Sequence, residues 1–325
     1  GWGRSETRVL AAALRESGAI GSPAGLGMML AAPTILAHGN ENQIDRYVPS
    51  ILDGTDSWCQ LFSEPGAGSD LAGLQTKATR DGDEWVITGQ KVWTSRAEHS
   101  DLMLLLARTT PKDEVTKRTD GLSVFLVDLR KSLNHGVTIR PISTMINHAT
   151  TEVFIDDLRI PAEQRIGEEG KGFRYILDGM NAERILIGAE CIGDSRWFIQ
   201  KASEYAKDRT VFQRPIGQNQ GIQFPIAKAY AQSEAADLMV RKAATLFDSG
   251  KPCGKEANMA KLLAADASWE AADVCLQTPA GFGFAEEYDI ERKFRETRLY
   301  RIAPVSTNLI LSYLAEHVLG LPRSF

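Results

Sequence analysis

Apolar positions along the chain change their period at two points. Residues 7–52 carry helical spacing, with Val9, Leu10, Ala13 and Leu14 on one stripe and a second apolar stretch from Met28 to Leu36. Ser17 to Ala37 holds no charged residue, but Pro23, Pro33 and four glycines interrupt it, which predicts a buried helical hairpin rather than a membrane span. From about Trp58 the apolar runs become short and β-branched: Glu84-Trp-Val-Ile-Thr, Leu102-Met-Leu-Leu-Leu-Ala, Gly121-Leu-Ser-Val-Phe-Leu-Val, Val137-Thr-Ile-Arg and Thr151-Glu-Val-Phe-Ile. Strands at this spacing predict a small antiparallel barrel or sandwich. The charged stretch Thr109 to Asp120 reads as a solvated loop between two of them. From Gly172 the helical period returns, in amphipathic segments near 173–208, 217–249, 254–280 and 287–319, which predict a four-helix bundle. The expected fold class is α+β, with an N-terminal helical domain at 1–56, a β-barrel domain at 57–166 and a helical bundle at 167–325.

Composition narrows the functions open to this fold. With 325 residues, 43% of them hydrophobic, the chain can bury a core in two or three subdomains. A formal charge of −5 and dispersed lysines and arginines speak against nucleic-acid binding. Cys59, Cys191, Cys253 and Cys275 lie far apart with no CxxC pair, which disfavours a zinc site or disulfide framework and fits a reducing compartment. His38, His99, His135, His148 and His317 show no metal-like spacing, and Asn147-His148 reads as a surface loop. No signal peptide opens the chain, so the expected location is cytoplasmic, without membrane association.

The candidate chemistry starts at Leu61-Phe-Ser-Glu-Pro-Gly-Ala-Gly-Ser-Asp70. Gly66 and Gly68 let a backbone approach a ligand, Pro65 stiffens the turn, and Ser63, Ser69 and Asp70 offer polar contacts. Further on, Lys91-Val-Trp93-Thr94-Ser95 places a large flat aromatic beside hydroxyls, a pairing that suits a bound flavin. Either motif alone reads equally well as a connecting turn or a buried strand end. Together with Glu84-Trp-Val-Ile-Thr-Gly89 they resemble the flavin-contacting stretch of the acyl-CoA dehydrogenase family. That resemblance continues through Arg209-Thr-Val-Phe212, Gln220, Gln277-Thr-Pro-Ala-Gly281-Phe-Gly283-Phe284, Arg295 and Tyr300, and so covers nearly all of the chain.

The resemblance implies FAD as cofactor, with Phe62 and Ser63 along the isoalloxazine ring, Trp93 packed against it, and Thr94 and Ser95 in the same contact set. Ser95 would offer its hydroxyl to the reactive flavin nitrogen. Arg209 and Phe212 would reach the cofactor of a neighbouring subunit, Arg209 at its pyrophosphate. Gln220, Gln277 and Gly281 match the same cross-subunit group. Ala280 stands where the family has glycine, a change that fits if its φ is negative. Ser306, Thr307 and Asn308 match a polar triplet that contacts the cofactor. Before the flavin loop the chain is shorter than its apparent relatives by several tens of residues, so the N-terminal helices look incomplete.

One departure concerns the catalytic base. Many family members carry a glutamate in a Tyr-Glu-Gly-Thr sequence, where this chain reads Ala303-Pro304-Val305-Ser306. The isovaleryl and long-chain types instead use a Glu-Arg pair on the first bundle helix, which Ala182-Glu183-Arg184-Ile-Leu-Ile matches. Glu183 is therefore the expected base, with Ser69 and Arg184 on the substrate side and Ser69 also among the implied cofactor contacts. Pro304 also lacks the N–H that binds the thioester carbonyl in relatives, so either another N–H such as that of Val305 takes over or the carbonyl is held differently. The implied reaction is α,β-dehydrogenation of an acyl-CoA, with electrons passed to an electron-transfer flavoprotein by a homo-oligomer, a dimer or a tetramer. Two rivals stand beside it. One is a flavin oxidase, monooxygenase or carrier-protein-thioester dehydrogenase on the same fold, and the other is a non-catalytic helical interaction module.

Overall fold

The computed structural model describes residues 25–146 and 149–324, together with Leu10, Ala13, Leu14 and residues 17–19. Val9, Asn147 and His148, and residues 20–24 of the expected hairpin's first arm, lie outside the described residues. Its second arm is helical, first at Gly27–Ala31 and then as α1 (Ala32–His38), and it buries Leu30, Ala31, Ala32 and Ile35. Helix α2 (Glu41–Leu52) opens on a capping box between Asn40 and Gln43. Gln43 Nε2 also donates to the carbonyls of Glu163 and Arg165, at 2.7 and 3.1 Å, which ties the helical cap to the sheet.

The strands are β1 (Trp58–Leu61), β2 (Lys77–Asp81), β3 (Glu84–Ser95), β4 (Leu102–Arg108), β5 (Leu122–Asp128), β6 (Val137–Pro141), β7 (Thr150–Pro161) and β8 (Arg165–Ile166). They form one sheet in the order β6-β7-β3-β2-β4-β5-β8, with β1 paired to β4. The expected antiparallel barrel is corrected here. The sheet path is open, and β4 pairs in parallel with both β1 and Lys77 of β2. The sheet nevertheless curls, because Trp85 of β3 packs edge-on against Phe125 of β5, a strand that is not its neighbour. β4 is buried on both faces: Leu102, Leu104 and Leu106 meet the N-terminal helices, while Met103, Leu105 and Ala107 fill the curled interior.

The helical half contains α3 (Gly172–Asp208), a hairpin of β9 (Thr210–Val211) and β10 (Arg214–Pro215), α4 (Gln220–Asp248) and α5 (Gly254–Gln277). The fourth long helix expected at 287–319 is broken into α6 (Ile290–Thr297), a tight turn at Arg298–Arg301, and α7 (Thr307–Tyr313). Pro304 has no N–H to carry a helix ladder through this point, and Ser306 starts α7 afresh by accepting from the Leu309 N–H. Small residues let α3, α4 and α5 pack closely around Ala236, Ala243, Ala257, Ala260 and Ala264. Among the described residues all four cysteines are free and buried, no acidic, histidine and cysteine cluster could hold a metal, and no helix is long and apolar enough to cross a membrane.

Candidate functional site

On the sheet side, β3 carries an irregularity where the chemistry was expected. Its pairing with β7 shifts register between Lys91 and Thr94, and Trp93 sits in the bulge with φ of +61°. A left-handed tryptophan is costly, by about 1–3 kcal/mol, and such strain persists where surrounding structure imposes it. The outcome is an indole 62% exposed, aimed out of the sheet instead of into the core. Ser95 is also exposed. Thr94 is the exception in this set: its side chain is buried and its carbonyl accepts from the Thr151 hydroxyl, so it presents no hydroxyl beside Trp93.

The loop from Phe62 to Asp70 is fastened next to that bulge. The Val92 N–H donates to the Ser63 carbonyl at 2.9 Å, and the Lys91 ammonium donates to the Phe62 carbonyl at 3.1 Å. Phe62 itself is buried in the core beneath. Sequence reasoning missed the element that fixes this arrangement, a buried ion pair at 2.8 Å between Lys91 and Glu64. Glu64 also accepts the backbone N–H groups of Gln75 and Thr76. Burial alone would raise its carboxyl, but the Lys91 ammonium and these donors hold it below the usual carboxylate range. A Cβ added at Gly66 or Gly68 would meet no protein atom, and Ser69 is exposed. An outward indole, an exposed hydroxyl and an open glycine turn fit a flat aromatic cofactor laid against the sheet.

On the helical side, Glu183 lies about three turns into α3, half-buried. Among the described residues, no side chain or backbone N–H donates to its carboxylate. Burial raises its pKa, and the Arg184 charge opposes that rise only in part. Arg184 is half-buried too, donates to Asn181 at 3.0 Å, and leaves its Nε without a described partner. A cavity of about 360 Å³ opens between the 28–38 segment and α3, with walls that include Met28, Met29, Pro33, Ala182, Leu186 and Phe247. Val305 is buried; its carbonyl accepts from the Lys261 ammonium at 2.7 Å, and among the described residues its N–H donates to no backbone carbonyl. Ser306 spends its hydroxyl on the cap of α7, and Asn308 is exposed.

A third group gathers at the far end of α3. Arg209 is exposed just beyond the helix, and Phe212 and Gln213 form the hairpin tip with φ of +52° and +66°. Two-residue hairpins of this hand favour Asn-Gly or Gly-Gly, yet this one displays a phenylalanine 94% exposed. Tyr288 touches both Tyr205 of α3 and Phe282, so the 277–284 turn sits at the same end. Gln220 and Gln277 are exposed, and a Cβ at Gly281 would meet nothing. Gly283, by contrast, is required, since a Cβ there would collide with the Leu276 carbonyl. Ala280 has φ of +51°, not the negative value expected, so the alanine replaces glycine at a cost of about 1–2 kcal/mol. Arg209 stands about 40 Å from Glu183 along the helix axis, so the two cannot meet at one point within a single chain.

Comparisons with known proteins agree with this architecture. The family described as acyl-CoA dehydrogenase, middle domain, matches residues 59–158, and acyl-CoA dehydrogenase, C-terminal domain, matches residues 170–319. The acyl-CoA dehydrogenase FadE12 of Mycobacterium tuberculosis is 36% identical over 97% of this chain and 82% of its own length. The caffeyl-CoA reductase-Etf complex subunit CarC of Acetobacterium woodii is 34% identical over 84% of this chain and 71% of its own. Butyryl-CoA dehydrogenase from Megasphaera elsdenii superposes with a TM-score of 0.84 at 29% identity, covering 90% of this chain and 75% of that one. With both domain families matched over most of its length, the chain belongs to the acyl-CoA dehydrogenase family of FAD-dependent oxidoreductases.

Proposed function

We propose that the protein oxidises an acyl-CoA thioester across its α and β carbons, with Glu183 as the base that removes the α-proton. One observation carries this reading: a half-buried carboxylate without a described donor, its pKa raised, sits on α3 between Ala182 and Leu186, two residues that line an apolar cavity. The α-hydrogen of a thioester is a very weak acid, so a desolvated carboxylate, which holds a proton more tightly, makes the stronger base. The cavity walls suit a hydrocarbon acyl chain and exclude water from the reacting carbons. Arg184 lies next to the base and Ser69 lies on the exposed loop, both on the substrate side.

The Val305 N–H is the donor for the thioester carbonyl, since Pro304 has none. Trp93 and Ser95 face the ring from the sheet, with Phe62, Ser63 and Thr94 contributing through the backbone beneath it. When bound, FAD supplies the acceptor for the β-hydride. Arg209, Phe212, Gln220, Gln277 and Gly281 serve the cofactor of a second copy, a division supported by the 40 Å gap estimated above, with Ser306 and Asn308 completing the contacts from α7. The protein is accordingly a homo-oligomer, a dimer or a tetramer. The protein's electron acceptor would be an electron-transfer flavoprotein, the partner named in the Etf-complex relative.

Anaerobic titration of the purified flavoprotein with a panel of acyl-CoA esters tests this directly. Bleaching of the flavin absorbance is expected for at least one ester, with reduction of an electron-transfer flavoprotein in the coupled assay. Bleaching by none of them would overturn the reading. Pro304 keeps the oxidase alternative open, and oxygen consumption with peroxide release and no reduction of the partner flavoprotein would select it.

A further inference from the structure

Lys261 is wholly buried on α5 and has no part in the chemistry above. A lysine brought fully out of water normally meets a carboxylate, yet its only hydrogen bond among the described residues goes to the Val305 carbonyl. The charged and titratable groups facing it are Cys191 and Arg184 from α3 and Asp266 from its own helix. Asp266 is occupied by Arg301, with N···O of 3.1 Å, and Arg184 is itself a cation. The cost of keeping an ammonium here is thus not recovered through an ion pair.

We infer that Lys261 is a positioning residue that clamps the Val305–Ser306 peptide and so aims the Val305 N–H at the thioester carbonyl. The inference rests on the reaction proposed above. In a chain whose neighbouring residue is Pro304, one N–H carries the task, and the turn from Ile302 to Ser306 has few other anchors. Ile302 and Ala303 both donate back to Leu299, and Thr307 bonds Arg301. Beyond Ala303, the Lys261 bond is what fixes the peptide before α7 begins.

The test uses the flavin-loaded protein and the variants Lys261→Met and Lys261→Gln. Lys261→Met should keep its flavin and the acyl-CoA concentration for half-maximal bleaching within about threefold. Its bleaching rate should fall by about 10²-fold, the scale of one lost carbonyl donor. Lys261→Gln keeps a donor and should recover much of that rate. A readout independent of turnover is the Raman carbonyl band of a bound, non-oxidisable thioester. The band should shift downward in wild type, and most of that shift should vanish in Lys261→Met. A full rate and an unchanged band in Lys261→Met would overturn the inference alone, whereas a wild type that no acyl-CoA bleaches overturns the reaction beneath it. If Lys261→Met does not fold, Lys261→Gln decides: its donor sits on an arm one bond shorter, so the band should lie between its wild-type and free positions, and a band and rate both identical to wild type would overturn the inference.

Discussion

Glu64 and Glu183 are two sequestered glutamates in one chain with opposite fates. Glu64 touches an ammonium and two backbone N–H groups, and its carboxyl is held below the usual range. Glu183 has no described donor, and its carboxyl is pushed above that range. Burial is common to both, so the partners decide: donors turn a buried carboxylate into a fastening, and their absence leaves a group ready to take a proton. The sheet side is therefore built to stay fixed, and the helical side leaves one carboxylate uncompensated.

The largest break in that contrast should come from Glu183→Gln. The variant should retain flavin and ligand while bleaching slows by about 10²–10⁴-fold, read by anaerobic stopped flow. An unchanged rate would move the base elsewhere. Next, Glu64→Gln strands the Lys91 charge in the interior and should cost about 3–5 kcal/mol, read from the denaturant midpoint of unfolding. A loss under 1 kcal/mol would mean that the pair is not what fastens the loop. Arg209→Ala should weaken FAD retention by roughly tenfold, measured by flavin release on gel filtration, with little change in the bleaching rate of molecules that stay loaded. Retention equal to wild type would misplace that contact.

Two smaller effects sharpen the comparison. The raised Glu183 pKa means that the folded state binds a proton that the unfolded chain has already released. Stability should therefore decline as pH rises from about 4.3 toward the raised value, and the bleaching rate should climb over the same window. Glu183→Gln should flatten the stability slope, and denaturant midpoints across that range would expose a slope that persists. Finally, Ala280→Gly relieves a left-handed alanine and should raise stability by up to about 1 kcal/mol, less the freedom that glycine gives the unfolded chain. A drop in thermal midpoint would show that the methyl group makes a contact worth keeping.

Much of this fold was legible in the chain, and the misses have physical causes. The apolar repeats located α3, α4 and α5 within a few residues. β2 escaped notice because only Ala78 of Lys77–Asp81 is buried, and β1 is four residues long. Alternation marks which residues face inward but not whether a sheet closes, so the open path of strands was invisible. Pro304 was weighed for its missing N–H at the active site, although the same lack also ends a helix ladder. At the site, family resemblance supplied Trp93, Arg209 and Phe212, while Glu64, Lys91 and Lys261 were passed over. Each had a local signal: opposite charges flanking the flavin motif, and one lysine within the alanine-rich face of Asn258 to Ala265. The Thr94 side chain turns inward as simple alternation predicts for a residue between two outward side chains, which leaves its backbone for the expected contact.

The hairpin at Phe212 carries one more consequence. Its tip holds a large aromatic ring out in solvent on a backbone turned into the left-handed region, so an aromatic peg is offered ready-made. Under the proposed sharing of cofactors, each copy completes a neighbour's pocket with this peg. Flavin retention then becomes a property of the assembly, and dilution would release oxidised flavin by parting the copies, with no electron transferred.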